Sequence, residues 1–185
     1  MNIARAWFNG RTGPCQGSDE GSIPFARSSL SMINFSRRIL ISAPKESVRL
    51  YLRDLENMAR YEPKVSQVHV SYPDKETRMA EVAGRFIGLP WKGAFKMQFT
   101  KDGGFRSEMV RGPLKKMVGG FHLRPVDGGT VLTHDEQYHF SPVIMPLVYI
   151  FRGWISRSME RELQLIKEGA ERLHRQLQLR QIDSL

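Results

Sequence analysis

Apolar and polar side chains alternate along most of the chain between residues 33 and 140. A period of two is typical of strands that bury one face, and turn residues divide this region into short runs. The pattern predicts a first strand over "INFSRRILIS", a helical segment after it, and then six further strands. These six are expected at about 65–72, 76–87, 91–100, 104–111, 116–125 and 130–140.

Two segments show helical periodicity instead. The first begins at Pro44, whose missing N–H is harmless in a first helical turn, and a short second piece is expected over 58–61, before Pro63. The last segment, from about 143 to 179, repeats apolar residues at steps of three and four. It predicts an amphipathic helix of about nine or ten turns.

Seven strands with one apolar face and a single long helix predict an α+β fold with two layers. One helix about 10 Å wide does not cover so broad a sheet. The antiparallel sheet is therefore expected to curve around the C-terminal helix, with the two short helices between its first and second strands. A cavity between sheet and helix is the expected result.

Composition indicates one globular domain, because 41% of the 185 residues are hydrophobic and 25% are charged. Residues 1–31 lack periodicity and predict a disordered or loosely ordered tail, followed by one domain over 32–180. Met32 is a candidate start of translation, since organised structure is expected from there. No apolar run reaches the roughly 20 residues that span a bilayer, and a cytoplasmic protein is expected. The single cysteine, Cys15, excludes an internal disulfide.

The net charge of +9 is spread along the chain rather than concentrated in a basic arm. Consecutive strands carry basic residues on the face opposite to the core, and exposed aromatic side chains for stacking on nucleic acid are missing there. A solvated basic face is therefore preferred over a nucleic-acid or ribosome site. The basic residues are Lys92, Lys96, Arg106, Lys116 and Arg124.

The stretch "LTHDEQYHF", 132–140, places two titratable side chains on an apolar strand face. His134 and Glu136 share that face with Leu132, Tyr138 and Phe140. An unpaired buried polar group costs about 1 to 3 kcal/mol, so the two either satisfy each other or contact a ligand. In an apolar cavity such a pair can orient a ligand carbonyl or act as a general acid and base. His134 and Glu136 are therefore the candidate catalytic residues.

The expected lining of the cavity consists of large inward-facing side chains of the sheet and the long helix, with a few polar ones. These candidate ligand-binding residues are Trp91, Phe95, Met97, Phe99, Ser107, Met109, Arg111, Phe121, His134, Glu136, Tyr138, Phe151 and Ile155. A phosphate-binding glycine loop, a nucleophile elbow and metal-ligand spacing are not found in the sequence. No cofactor and no metal are predicted.

The segment 140–155, "FSPVIMPLVYIFRGWI", is apolar around most of its circumference, and two prolines interrupt its start. It is either a helix start packed against loops of the sheet, a lid, or a surface that contacts a membrane. Trp154 with Arg152 and Arg157 suits the headgroup zone of a bilayer. Peripheral membrane contact is thus one hypothesis for this segment.

The order of elements and the stretch "INFSRRILISAPKESVRLYLRDLENMARYEPKV" resemble the polyketide cyclase/dehydrase and coenzyme Q-binding START-domain families. The shared features are an isoleucine-rich strand, an Ala-Pro helix start, Asp54, Tyr61 and Pro63, and a later glycine turn before "TVLT". The resemblance extends from residue 33 to about 175 and implies the helix-grip fold of the START-like (SRPBCC) superfamily, which includes the major birch pollen allergen.

Three functions follow from this resemblance, because the superfamily's members bind lipids, polyketides, quinones, hormones or proteins. The first is a carrier or chaperone of a hydrophobic small molecule, such as a lipid, an isoprenoid quinone or a polyketide-like compound. The second is an aromatase/cyclase-type enzyme that uses the same pocket, although the family has no fixed catalytic residue. The third is a ribosome- or protein-associating regulator that uses the basic face, since one relative is a ribosome-associated bacterial toxin.

Overall fold

A computed structural model describes residues 31–74, 77–86, 88–114, 116–140, 143 and 145–182. The predicted tail falls on residues 1–31, of which 1–30 lie outside the described residues. Seven antiparallel strands form one curved sheet in the order β1-β7-β6-β5-β4-β3-β2, which confirms the predicted strand count and fold. The strands are β1 Ser31–Ile41, β2 Val65–Ser71, β3 Thr77–Phe86, β4 Leu89–Phe99, β5 Phe105–Arg111, β6 Lys116–Val126 and β7 Gly129–Phe140.

The helices begin and end close to the predicted positions. Pro44 caps the first, and the side chain of Asp54 accepts a hydrogen bond from the backbone N–H of Glu56 (3.2 Å) where the chain enters a 3-10 turn. In the described part of the chain, no helix is long and apolar enough to cross a bilayer. The helices are α1 Lys45–Arg53, the 3-10 turn Leu55–Asn57, α2 Met58–Tyr61 and α3 Met145–Ile182.

The long helix α3 packs on the inner face of the sheet, with α1 and α2 beside it. At the sheet edge, Arg37 of β1 donates a hydrogen bond from Nε to Glu160 of α3 (3.0 Å) and another to the hydroxyl of Ser156. On the opposite face, the predicted basic residues are all exposed, as expected. They are Lys92, Lys96, Arg106, Lys116 and Arg124.

The buried side chains form two separate apolar clusters rather than one continuous core. The larger cluster joins α1, α2 and the middle of α3 to the sheet, and it includes Leu132, Leu163 and Ile166. The smaller cluster lies under the first half of α3. It consists of Phe35, Tyr138, Phe140, Val148, Ile155 and Met159.

Candidate functional site

Buried polar side chains lie between the two apolar clusters. On β7, His134 and Glu136 come after Leu132 of the larger cluster and before Tyr138 of the smaller one. On α3, Glu162 occupies the corresponding junction, and all three polar residues are at least 96% buried. Two further charged residues reach this region from the chain between α2 and β2. We refer to Glu62, Lys64, His134, Glu136 and Glu162 as the polar cluster.

His134 is the centre of the polar cluster. Its Nδ1 lies 3.4 Å from Oε2 of Glu162, and its Nε2 lies 3.7 Å from Oε1 of Glu136. The imidazole stacks on the ring of Phe121 with a centroid distance of 4.2 Å. The other carboxylate oxygen of Glu136 accepts a hydrogen bond from the hydroxyl of Tyr138 (2.6 Å). The predicted proximity of His134 and Glu136 is therefore present, with Glu162 as an additional partner.

Lys64 supplies a buried positive charge. Its Nζ lies 3.3 Å from a carboxylate oxygen of Glu62, and each of the two side chains is only 11% exposed. The backbone carbonyl of Lys64 accepts hydrogen bonds from the indole N–H of Trp91 (3.0 Å) and from the backbone N–H of Arg85 (3.1 Å). A side chain at Gly84 would collide with that carbonyl, so glycine is needed for this approach.

Lys64 and Glu136 are both charged at neutral pH. Burial by itself lowers the pKa of Lys64, but the carboxylates of Glu62 and Glu136 outweigh it and raise that pKa well above its ordinary value. Burial likewise raises the pKa of Glu136, yet the charge of Lys64 and the hydrogen bond from Tyr138 bring it below its ordinary value. The ammonium group of Lys64 is thus paired with the carboxylate of Glu62, and its positive charge also favours the charged form of the buried Glu136.

The pKa shifts of His134 and Glu162 favour the neutral form of both groups. Burial and the negative charge of Glu62 raise the pKa of Glu162 well above its ordinary value, which favours its protonated carboxyl group. Burial lowers the pKa of His134, so its imidazole stays uncharged. A neutral acid thus faces a neutral base at 3.4 Å. Within the described ranges, no three His, Cys, Asp or Glu side chains are arranged to hold a metal ion.

Four buried side-chain atoms in the described part of the chain have no hydrogen-bond partner. They are the hydroxyl oxygens of Tyr61 and Ser158, Nδ1 of His134 and Oε2 of Glu162. Such atoms are rare in folded proteins, because each one costs about 1 to 3 kcal/mol when unsatisfied. Two of them, Nδ1 of His134 and Oε2 of Glu162, face each other at 3.4 Å, so the hydroxyl groups of Tyr61 and Ser158 are the ones available to the polar group of a bound molecule.

Gly119 of β6 lies next to the polar cluster. In the register of the sheet it lies between Ser107 of β5 and Glu136 of β7. A Cβ atom at this position would lie 3.0 Å from the backbone oxygen of Asp135, 3.4 Å from Cγ of Glu136 and 3.7 Å from the hydroxyl oxygen of Ser107. The space beside Gly119 is therefore narrow, and a side chain there would press on β7 next to Glu136.

The candidate ligand-binding residues occupy different depths in the fold. Those that are half-buried contact the larger cluster or line the margins of the inner face. They are Trp91, Phe95, Phe99, Ser107, Met109 and Phe151. Those that are fully buried surround the polar cluster or belong to an apolar cluster. They are Met97, Phe121, His134, Glu136, Tyr138 and Ile155.

The inward orientation predicted for Arg111 is wrong. Its side chain is 72% exposed and donates a hydrogen bond to Glu81 (2.9 Å) on the outer face. The cause is a bulge in β5: Met109 pairs with Phe95 and Arg111 pairs with Ala94, so Val110 is an extra residue. One extra residue reverses the faces of all that follow in a strand. Arg111 therefore does not contribute to the inner face.

Two open depressions lie away from the polar cluster. One, of about 270 Å³, is lined mainly by α1 and the β4–β5 turn, including Arg49, Arg53 and Phe99. The other, of about 380 Å³, lies at the ends of β2, β3 and β4 and includes Trp91 and Lys92. Neither depression is lined by a residue of the polar cluster. The cavity predicted between the sheet and α3 remains a prediction.

Sequence patterns missed most of the polar cluster. Glu162 had a detectable signal, because it follows Met159 by three positions and precedes Ile166 by four, which is a core position of an amphipathic helix. Glu62 and Lys64 gave no local signal: they follow a short helix around Pro63, and only the folded chain brings them under the sheet.

Residues 32–171 match the sequence profile of a family described as polyketide cyclase / dehydrase and lipid transport. The chain belongs to this family. The match spans β1 to β7 and most of α3, and therefore includes every member of the polar cluster. No curated protein matches the chain significantly.

Solved structures share the fold of this family member at low sequence identity. The Zhui aromatase/cyclase of a Streptomyces species matches with a TM-score of 0.68 and 14% identity, over 77% of this chain and 95% of its own. A norcoclaurine synthase point mutant of Thalictrum matches with a TM-score of 0.58 and 12% identity, over 76% and 97%. A START superfamily protein from Mycobacterium smegmatis gives 0.55 and 15%, over 79% and 98%. These likenesses establish the helix-grip fold.

Proposed function

We propose that the protein binds a hydrophobic small molecule between the curved sheet and α3, and acts as its carrier or chaperone. The observation that carries this proposal is the polar cluster, buried between two apolar clusters, together with the unpaired buried hydroxyl groups of Tyr61 and Ser158. A filled structural core has no need of such atoms, because each one destabilises the fold. The family description, which includes lipid transport, supports the same class of ligand.

The charges of the polar cluster restrict the ligand's polar group. Tyr61 and Ser158 each offer a hydroxyl hydrogen, which suits a carbonyl or hydroxyl oxygen. The carboxylates of Glu62 and Glu136 repel an anionic headgroup. We therefore favour an isoprenoid quinone, a polyketide-like ketone or a neutral lipid over a fatty acid. Its apolar body contributes about 25 cal/mol for each Å² that it buries.

Tyr61→Phe tests whether the hydroxyl group of Tyr61 binds the ligand. The variant is expected to keep or slightly raise the stability of the free protein but to lower its affinity for the ligand. Without ligand, removing an unpaired buried hydroxyl leaves the free energy of unfolding unchanged or raises it slightly. With ligand, losing one hydrogen bond lowers the affinity by about five- to tenfold. The ligand is first identified by native mass spectrometry and organic extraction of the purified protein, and its affinity is then measured by calorimetry.

Tyr51→Phe is the matched control. Tyr51 is also buried and packs beside Tyr61, but its hydroxyl group lies next to Gly169 of α3, outside the polar cluster. Its removal is expected to leave the ligand affinity unchanged. A protein that carries no co-purifying molecule and binds none of a panel of quinones, polycyclic ketones and fatty alcohols would contradict the proposal.

Catalysis of an aromatase/cyclase type is the second candidate function, and one observation favours it. The neutral carboxyl of Glu162 faces the neutral imidazole of His134, so one group can donate a proton and the other can accept one without a change in net charge. Cyclisation of a polyketide-like ketone requires both proton transfers. The buried carboxylate of Glu136 can stabilise the imidazolium that forms during the reaction.

For an enzyme, His134→Ala and Glu136→Gln are expected to reduce turnover by about a hundredfold or more while the affinity changes far less. The measurement is product formation from the extracted ligand or from a synthetic poly-ketone, followed by chromatography. Full activity in both variants would exclude this mechanism and leave the carrier function in place.

A further inference from the structure

The first turns of α3 are apolar on the outer face as well as the inner one. Val148 and Ile155 are buried in the smaller cluster, whereas Leu147, Tyr149 and Ile150 are 53%, 61% and 75% exposed. In the middle of the same helix, from 160 to 168, the exposed positions are polar, as is normal for a helix on a protein surface. Those later exposed residues are Glu160, Arg161, Gln164 and Glu168.

The hairpin between β3 and β4 extends this apolar surface. The ring of Phe86 contacts the ring of Trp154 edge to face, with centroids 4.9 Å apart. Leu89, which pairs with Phe86 across the hairpin, is 70% exposed. Scattered exposed apolar residues need no explanation, but a contiguous set of large ones marks an interaction surface. We call this set the α3–hairpin patch: Phe86, Leu89, Leu147, Tyr149, Ile150 and Trp154.

The charges that accompany the α3–hairpin patch are all positive. The sequence from 141 to 159 contains Arg152 and Arg157 but no acidic residue, and the hairpin sequence from 82 to 93 contains Arg85 and Lys92 but no acidic residue. In the described part of the chain, none of these four side chains forms a salt bridge, and all four are exposed. Their charges are therefore available to an external partner.

We propose that the α3–hairpin patch docks the protein on an anionic lipid surface. A helix segment lying in the interface buries its apolar side chains at the boundary of headgroups and acyl chains, while Arg and Lys contact anionic headgroups. The six apolar residues and four cations supply both parts of this interaction. A protein partner with a matching apolar surface does not explain why all the surrounding charges have one sign. This inference does not depend on the identity of the internal ligand.

Vesicle co-sedimentation of the full chain tests the proposal. Wild-type protein is expected to bind vesicles containing phosphatidylglycerol, to bind pure phosphatidylcholine vesicles much more weakly, and to lose part of its binding at high salt. Ile150→Asp is expected to lower the partition coefficient by about tenfold or more, since it replaces an inserted apolar side chain by a charge. Arg152→Glu is expected to weaken binding to the anionic vesicles only.

Leu179→Asp is the matched control, because Leu179 is 61% exposed on the same helix but far from the patch. It is expected to bind vesicles as the wild type does. Circular dichroism and the thermal midpoint verify that each variant is folded. The proposal is overturned if the wild-type protein does not bind anionic vesicles. It is also overturned if Ile150→Asp and Leu179→Asp bind these vesicles equally. So does a wild-type dimer in analytical ultracentrifugation that Ile150→Asp converts to a monomer, since a second copy then covers the patch.

Discussion

Lys64→Met is expected to lower the free energy of unfolding at neutral pH by about 3 to 5 kcal/mol. Methionine keeps the approximate length of the lysine side chain but leaves the carboxylate of Glu62, which lies 3.3 Å from Nζ, and the buried carboxylate of Glu136 without a nearby cation. Removing one partner of a buried ion pair costs more than the pair contributes, because the remaining charge is still desolvated. The measurement is urea denaturation of both proteins followed by circular dichroism.

The second-site variant Glu136→Gln identifies the origin of this loss. In the Lys64→Met background it removes one of the two uncompensated charges, while the side-chain carbonyl of glutamine still accepts the hydrogen bond from Tyr138. We expect it to restore about half or more of the lost stability. Lys92→Met, at an exposed lysine, controls for the loss of a positive charge in general and should be nearly neutral. A Lys64→Met deficit no larger than that of Lys92→Met would refute the buried pair.

The pH dependence of the same variant has a definite sign. In the wild type the pKa of Glu136 is below its ordinary value, so its contribution to stability is present above that value and is lost as the pH falls. In Lys64→Met, burial of the unpaired carboxyl group dominates and its pKa rises instead. The deficit of the variant is therefore expected to be largest at about pH 7 and to shrink as the pH is lowered towards about 4.

Leu163→Ala is expected to lower the free energy of unfolding by about 3 kcal/mol and the thermal midpoint by about 6 to 12 °C. Leu163 is 2% exposed and joins α3 to the larger apolar cluster. Its truncation removes apolar contact and leaves a cavity that the curved sheet and α3 cannot close completely. Differential scanning calorimetry measures both quantities.

The same substitution elsewhere on α3 separates packing from helix propensity. Leu179 is 61% exposed, so Leu179→Ala removes the same atoms without opening a buried cavity. Its effect is expected to stay within about 0.5 kcal/mol. If the two variants lost equal stability, the loss would come from the helix itself and not from its packing on the sheet.

The sequence predicts the fold of this protein more completely than it predicts the residues of the polar cluster. Strands can be recognised from the local alternation of apolar and polar residues and from the turns between them. One such turn contains Asp127 and Gly128, and Gly128 has a positive φ of 81°. Their number and approximate ends are predictable on that basis. His134 and Glu136 were found because two polar residues interrupt one apolar face of a single strand.

The rest of the site depends on contacts between distant segments, which periodicity does not encode. Lys64 becomes a member of the polar cluster only because its backbone docks against Gly84 and Trp91. For Arg111 the prediction was made but was wrong. Inward and outward side chains alternate along β5 as predicted as far as Met109, and the extra residue Val110 then turns Arg111 to the outer face. A strand prediction therefore gives the orientation of a residue reliably only up to the nearest bulge.

The order of strands has a consequence for how the chain folds during synthesis. The first strand, β1, pairs only with the last, β7, so that Arg37 lies opposite His134 and Phe35 opposite Glu136. Pairing between strands so far apart in sequence is slow, because the chain between them must lose conformational entropy before their contacts can stabilise the pair. Until β7 emerges from the ribosome, the edge of β1 has no neighbour and is open to pairing with another nascent chain. We therefore expect the polar cluster to assemble late, and aggregation during synthesis to begin at β1.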